Sequence, residues 1–446
     1  MLVHTVHLYK SFLVIYVNVY QCFDPLKVCI VGRSYPPEFY SEIDNVKVRS
    51  AMERVAIETE EDYQKLISKL KEFDVEIIRL DISDNLDDYK DHNGVMNAAP
   101  PMCPRDFSAQ IGDTFYMPSP NYGENFDVEN LYFGLLNGNP AWEKSDVQKS
   151  REKTLAKYFE DLIHPGRPMS PEVSAEVFRN REEIIKSPLA FLTGIDREEL
   201  EKIIIAAETN TIGSNNKFPS NKRVYAWTSV EKWMKENNVP VVYDQYINSA
   251  NCWRLGKDLF FNYNNIITKL NEESFLKKWR RLFPDFRVHG VDSPGHGDGG
   301  MHPVKEGLII AIRDEEYYKN FYPDWEVVTV QSGWQQVKPF LKMKNKNRGR
   351  WWIKGEENND DLINYIDTWL DHWVTYAEES VFDVNVLPLD EKNCIVCGYN
   401  KKIFDAFDRH GVTPHIVNFR HRWFWDGGLH CITSDLHREG SMKTFW

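Results

Sequence analysis

The 446-residue chain has no apolar run long enough to cross a bilayer. Its best candidate, Phe12-Leu13-Val14-Ile15-Tyr16-Val17, is cut off by Asn18, far short of the ~20 residues a membrane helix needs. The following Val19-Tyr20-Gln21 offers no small-residue cleavage site, and the β-branched and aromatic content favours an extended strand over a signal-peptide core. Basic residues are not in excess either. A net charge of −13 repels nucleic acid and anionic membrane surfaces, so neither is expected as a partner, whereas a small cationic substrate suits that field. Cysteine is sparse. Cys22, Cys29, Cys103, Cys252, Cys394, Cys397 and Cys431 make an odd, scattered set in a chain too large to need disulfide stapling, which points to free thiols in a reducing, cytoplasmic compartment. Ser/Gly-rich linkers, low-complexity tracts and legible internal repeats are also lacking.

What is present is ample core material. Hydrophobic residues make up 42% of the chain and aromatic residues 13%, with 14 tryptophans whose commonest use is packing. Short apolar runs recur at Lys27–Val31, Val75–Leu80, Val239–Tyr243, Leu308–Ile312 and Val384–Leu387, each of strand length. Helical periodicity lies between them, clearest over Glu60–Phe73, where Tyr63, Leu66, Ile67 and Leu70 share a face, and over Ile403–His410. The alternation predicts an α/β fold. We read residues 1–22 as an N-terminal extension and 23–446 as one domain, with a long polar loop at Thr209–Arg223. A charged insertion near 342–361 is anchored by Trp351 and Trp352.

Four segments carry groups capable of chemistry. In Trp425-Asp426-Gly427-Gly428-Leu429-His430-Cys431-Ile432-Thr433 a thiol follows a glycine pair, where backbone can approach a ligand closely, although an isolated cysteine is more often simply buried. The glycine-rich stretch from Val288 to Pro303 holds His289, His296 and His302 with Asp292 and Asp298. Such a set suits zinc, but no second group has ligand spacing, and Cys394 and Cys397 sit in an apolar strand, so no metal is expected. Cys103-Pro104-Arg105-Asp106 places a charged pair at a turn, and Asn248 to Asp258 reads as a polar strand and tight turn.

Taken together and in order, these segments resemble the glycine amidinotransferase branch of the guanidino-group modifying superfamily. The resemblance rests on Phe23 to Arg33, Pro104-Arg105-Asp106, Arg254-Leu255-Gly256-Lys257-Asp258, His296-x-Asp298, and the tail from Asp426 through Cys431 to Asp435, Arg438 and Gly440. It implies a five-bladed α/β propeller of ββαβ units around a central active site. It further implies a cysteine enzyme needing no cofactor, with a guanidine donor and an amine acceptor as small-molecule partners; a homodimer is compatible with it. Cys431 would be the nucleophile, His296 the general acid and base, and Asp106 and Asp298 the carboxylates that hold a planar guanidinium through paired N–H bonds.

Three features depart from the family pattern. Asn251 stands where an acidic partner of the histidine is usual, giving a Cys, His and Asn set. Glu315, with Arg313 nearby, and Glu378-Glu379 occupy the place of an arginine and serines that receive a substrate carboxylate, leaving Arg313 as the substrate-binding candidate. Ser293, with Pro294 and Gly295, makes small residues before the histidine and leaves room for a larger amine. The expected activity is amidino transfer. A guanidine hydrolase and a guanidine-binding protein without turnover are the two alternatives.

Overall fold

A computed structural model of the chain describes residues 17–85, 89, 99–117, 227–243, 247–262, 272–291, 296–312, 315–318, 325–330, 351–370, 374 and 382–445. Among the described residues fifteen strands form five three-stranded sheets, and each of these sheets is built alike. Its middle strand pairs antiparallel with one neighbour and parallel with the other. The parallel partner is reached through a crossover helix, because two parallel strands cannot be joined by a tight turn.

In the first blade β1 (Leu26–Val31) runs through α1 (Val46–Lys71) to β2 (Glu76–Arg79). The second holds β3 (Ala109–Ile111), β4 (Thr114–Met117), α2 (Thr228–Glu236) and β5 (Val241–Tyr243). The third holds β6 (Cys252–Leu255), β7 (Asp258–Asn262), α3 (Glu272–Leu282) and β8 (Arg287–Val291). β9 (Met301–Lys305), β10 (Leu308–Ala311), α4 (Glu315–Tyr318) and β11 (Glu326–Thr329) make the fourth. The fifth is β12 (Leu387–Asp390), β13 (Asn393–Val396), α5 (Lys401–His410) and β14 (Thr413–Ile416). The last strand, β15 (Thr433–Arg438), returns to pair antiparallel with β1 and closes the ring. The fold is the five-bladed α/β propeller.

The middle strands β1, β4, β7, β10 and β13 read as mostly apolar runs because they are buried on both faces. Successive side chains of one strand point to different cores. On β10, Leu308 and Ile310 enter the core shared with β13 and α5, while Ile309 and Ala311 enter the one shared with Trp253 and Phe260 of the preceding blade. On β13, Cys394 and Val396 face the fourth blade, and Ile395 and, just past the strand, Cys397 face the first. Five such cores sit between the blades.

The helices have clear local reasons. α1 starts where Asn45 accepts hydrogen bonds from the Lys47 and Val48 amides, and Lys69 and Lys71 in its last turn complement the helix dipole. α5 starts at Asn400 and ends at Gly411, whose φ of 66° is left-handed and suits glycine. The helix expected over Glu60–Phe73 is the second half of the longer α1, and Trp351 and Trp352 are both buried, anchoring their segment. The strand expected over Val384–Leu387 instead begins at Leu387. Val384 and Val386 are buried as anticipated, but the Val386 amide bonds back to Val384 O, and this turn sends the Asn385 side chain into the site. Residues 17–22 pack on the propeller, through bridges from Val19 to Gly112 and from Gln21 to Leu255. Phe12–Tyr16, Thr209–Arg223 and residues 331–350 lie outside the described residues.

Candidate active site

Each blade begins with a strand preceded by a short polar loop, and these loops meet. Arg105 and Asp106 lead into β3, Asn251 into β6, His296 and Asp298 into β9, Asn385 into β12, and His430 and Cys431 into β15. The loops are stitched to one another by backbone bonds. Ala250 N donates to Arg105 O at 3.2 Å, Ser249 N to Ser108 O at 2.9 Å, and Asp298 N to Ala250 O at 3.1 Å. Each blade therefore supplies one part of the site from the same place in its own unit.

Cys431 is held by its backbone. Asp426 adopts a left-handed φ of 50° after the short helix Arg422–Trp425, and Gly427 and Gly428 follow. Asn385 Oδ1 then accepts both the His430 amide at 2.9 Å and the Cys431 amide at 3.1 Å. Gly428 has to be glycine for this to happen, since a Cβ there would lie 2.5 Å from Asn385 Oδ1. The Cys431 side chain is fully buried. Arg105 Nη2 donates to its Sγ at 2.6 Å, a charge-assisted contact of the kind that favours thiolate.

Two carboxylates hold that guanidinium. Its Nε lies 3.0 Å from Asp106 Oδ1, and its Nη1 is paired with Asp298 Oδ1. Asp298 is fully buried, and its other oxygen accepts from Asn385 Nδ2 at 3.2 Å and lies 2.6 Å from His430 Nδ1. Burial drives the His430 imidazole well below its usual pKa, helped by the charge of Arg105. His302 packs edge-on against it, ring centroids 4.7 Å apart, and burial lowers His302 to about 3. A carboxylate oxygen only accepts, so His430 Nδ1 carries the proton of its hydrogen bond to Asp298.

His296 and Asp106 stand nearer to solvent, at 33% and 24% exposure, with Nδ1 and Oδ1 3.9 Å apart. Asn251 lies beside them, and its side-chain oxygen accepts from Gly297 N at 3.2 Å and from Asn262 Nδ2 at 3.1 Å. It is thus tied to the backbone that carries His296. Ser293 and Arg313 lie outside the described residues, as do Glu378 and Glu379. Among the described residues no cluster of three or more His, Cys, Asp or Glu could hold a metal, and all seven cysteines are buried and outside any disulfide. No described helix is long and apolar enough to cross a membrane.

Three contributors went unassigned in the sequence reading. Arg105 and His430 lie inside the quoted motifs, next to Asp106 and Cys431. Asn385 left only a faint signal, a polar residue within an apolar run.

No family model matches the chain. The mitochondrial glycine amidinotransferase of Xenopus tropicalis is 24% identical over 214 residues, 47% of this chain and 42% of that protein. An L-arginine:L-lysine amidinotransferase of Pseudomonas savastanoi pv. phaseolicola is 22% identical over 275 residues, covering 59% of this chain and 65% of its own. The chain thus spans under half the length of the glycine amidinotransferases it matches. An amidinotransferase from Microseira wollei in the saxitoxin biosynthetic pathway, a solved structure, covers 96% of this chain and 99% of its own at 16% identity, with a TM-score of 0.49. With five ββαβ blades in its strand pairing, the chain has the architecture of a five-bladed α/β propeller, and the relatives it resembles in sequence are amidinotransferases.

Proposed function

We propose that the protein transfers an amidino group from a guanidine donor to an amine through a covalent intermediate on Cys431. The observation that carries this reading is the setting of the Cys431 thiol against the Arg105 guanidinium, which Asp106 and Asp298 hold where a donor guanidinium would sit. A planar cation bound by two carboxylates has its positive charge directed to the carbon, which makes that carbon the electrophile. Cys431 Sγ attacks as thiolate and forms the C–S bond. The C–N bond to the donor amine then breaks, and His296, at the partly exposed edge, supplies that amine with a proton. The incoming amine gives a proton to the same imidazole and attacks the amidino carbon, and the thiolate leaves with the C–S electron pair. Asn251 keeps the His296 loop in register through the Gly297 amide. The small side chains at Ser293 and Gly295 suit an amine larger than glycine, and Arg313 is the candidate for a substrate anion. A reducing compartment such as the cytoplasm suits a nucleophile among seven free thiols.

Intact-mass spectra of the wild type with arginine or agmatine should show an amidino adduct, and peptide mapping should locate it on Cys431. Cys431→Ala should keep its circular dichroism and lose both adduct and turnover. Release of a new guanidine from an added amine identifies a transferase, and release of urea or ammonia identifies the hydrolytic alternative. Full turnover by Cys431→Ala is the result that removes this mechanism.

A further inference from the structure

The partners that a donor guanidinium needs are engaged by the protein's own side chain. Arg105 spends Nε on Asp106, Nη1 on Asp298 and Nη2 on the thiol of Cys431. A second guanidinium cannot be added beside it. One oxygen of Asp298 is paired with Arg105, and the other is shared by His430 and Asn385. Two cations on one pair of carboxylates would also repel each other strongly in so buried a site. Access is closed as well, since Arg105 and Cys431 are both fully buried.

We propose that Arg105 is the resting occupant of the guanidinium subsite, an internal stand-in for substrate that a donor must displace to reach Cys431. This rests on reading Cys431 as the nucleophile. The geometry of the loop fits such an exchange. Arg105 stands on a single 3₁₀ turn, Pro104–Asp106, and its long unbranched side chain can swing while the turn stays fixed by Asp106 N to Cys103 O and Phe107 N to Pro104 O. The way out passes Asp106 and His296, the partly exposed members of the site. In the closed state the guanidinium both caps the thiol and favours its ionised form, so the nucleophile is poised and shielded from adventitious electrophiles. The exchange selects for a planar, forked cation, because an ammonium group cannot replace three differently directed N–H donors. Apparent donor affinity is then the intrinsic affinity reduced by the fraction of molecules with Arg105 displaced.

The test uses the intact chain and needs no donor. Iodoacetamide alkylation of Cys431, followed across pH by peptide mass spectrometry, gives two readings: the midpoint reports thiol ionisation, and the high-pH plateau reports access alone. In Arg105→Ala the plateau should rise about tenfold or more, as for a thiol moved from burial to solvent, and the midpoint should move up. Arg105→Lys, which keeps charge but not the fork, should raise the plateau with a smaller change of midpoint. Methylguanidine should bind Arg105→Ala several-fold more tightly than wild type. Plateaus no higher than wild type in folded variants, or weaker methylguanidine binding by Arg105→Ala, would show that Arg105 is a fixed part of the clamp and overturn the proposal. A raised plateau without any amidino adduct on wild-type Cys431 would leave the cap standing and remove the catalytic reading instead.

Discussion

Asn251 shows how one side chain can brace the loop that carries His296. Its carbonyl oxygen takes the Gly297 amide and the Asn262 amide, and Gly297 in turn packs where any Cβ would collide with the Trp253 indole. Removing that oxygen leaves a half-buried N–H without its acceptor directly beside His296. Asn251→Ala should therefore cost about 1–3 kcal/mol, from the unpaired donor. The loss should appear both in the urea midpoint and in the rate of adduct formation, because the same loop carries histidine and Asp298. Asn251→Asp keeps both bonds and should lie close to wild type in stability. An Asn251→Ala protein with unchanged midpoint and unchanged adduct rate would mean that the contact is idle.

At the scale of the element, the unit that matters is the loop entering the first strand of each blade. The loop before β15 is the most constrained, because Gly428 lies against Asn385, which is bonded at once to the His430 and Cys431 amides and to Asp298. A single methyl there has nowhere to go. Gly428→Ala should push Asn385 aside and destabilise the fold by about 1–3 kcal/mol, the usual cost of overpacking. If Cys431 is the proposed nucleophile, adduct formation on it should fall much further than stability, because the His430 and Cys431 amides lose a common acceptor. Thermal melts paired with adduct kinetics check this, and parallel losses in the two would argue that the turn matters only to folding.

Across the whole molecule the centre of the ring is polar and charged. Asp435 on β15 is bonded by Arg254 from β6 at 2.7 and 2.9 Å and by Arg438 at 2.7 Å, and Arg438 also reaches Asp24 O and, at 3.0 Å, Pro388 O before β13. Burial alone would raise the Asp435 carboxyl, but the Arg254 and Arg438 charges outweigh it and hold it well below the usual carboxylate range. His302 lies in the same interior, pushed to about 3 by burial and then by the Arg438 charge. The sign is the same for both. The unfolded chain binds protons that the folded chain refuses, so stability is full at neutral pH. It falls as pH drops below about 6.5, the free histidine value, towards about 3, with Asp435 adding to the loss below about 4. His302 alone contributes on the order of 3 kcal/mol of this by pH about 4. Replacing it by a ring that cannot be protonated, His302→Phe, should flatten the acid limb in urea titrations at several pH values. An unchanged acid limb would mean that His302 takes up its proton in the folded state.

The sequence by itself determined most of the strands, and its family resemblance marked Cys431, His296, Asp106 and Asp298 as candidates. Runs such as Lys27–Val31 and Leu308–Ile312 are strands because their residues suit burial on both faces. The five-fold repeat stayed hidden, because a blade demands only an apolar run, a crossover and a second run, and many unrelated residues satisfy that. Arg105 could be quoted from its motif but not placed. Whether a guanidinium beside Asp106 points to solvent or across the ring to Asp298 and Cys431 depends on residues hundreds of positions away. Asn385 likewise gains its meaning only when β12 and β15 are brought together at the centre. Tertiary structure alone decided those contacts, because closing the ring sets each blade's entry loop against loops from distant parts of the chain, where no local pattern records the neighbour.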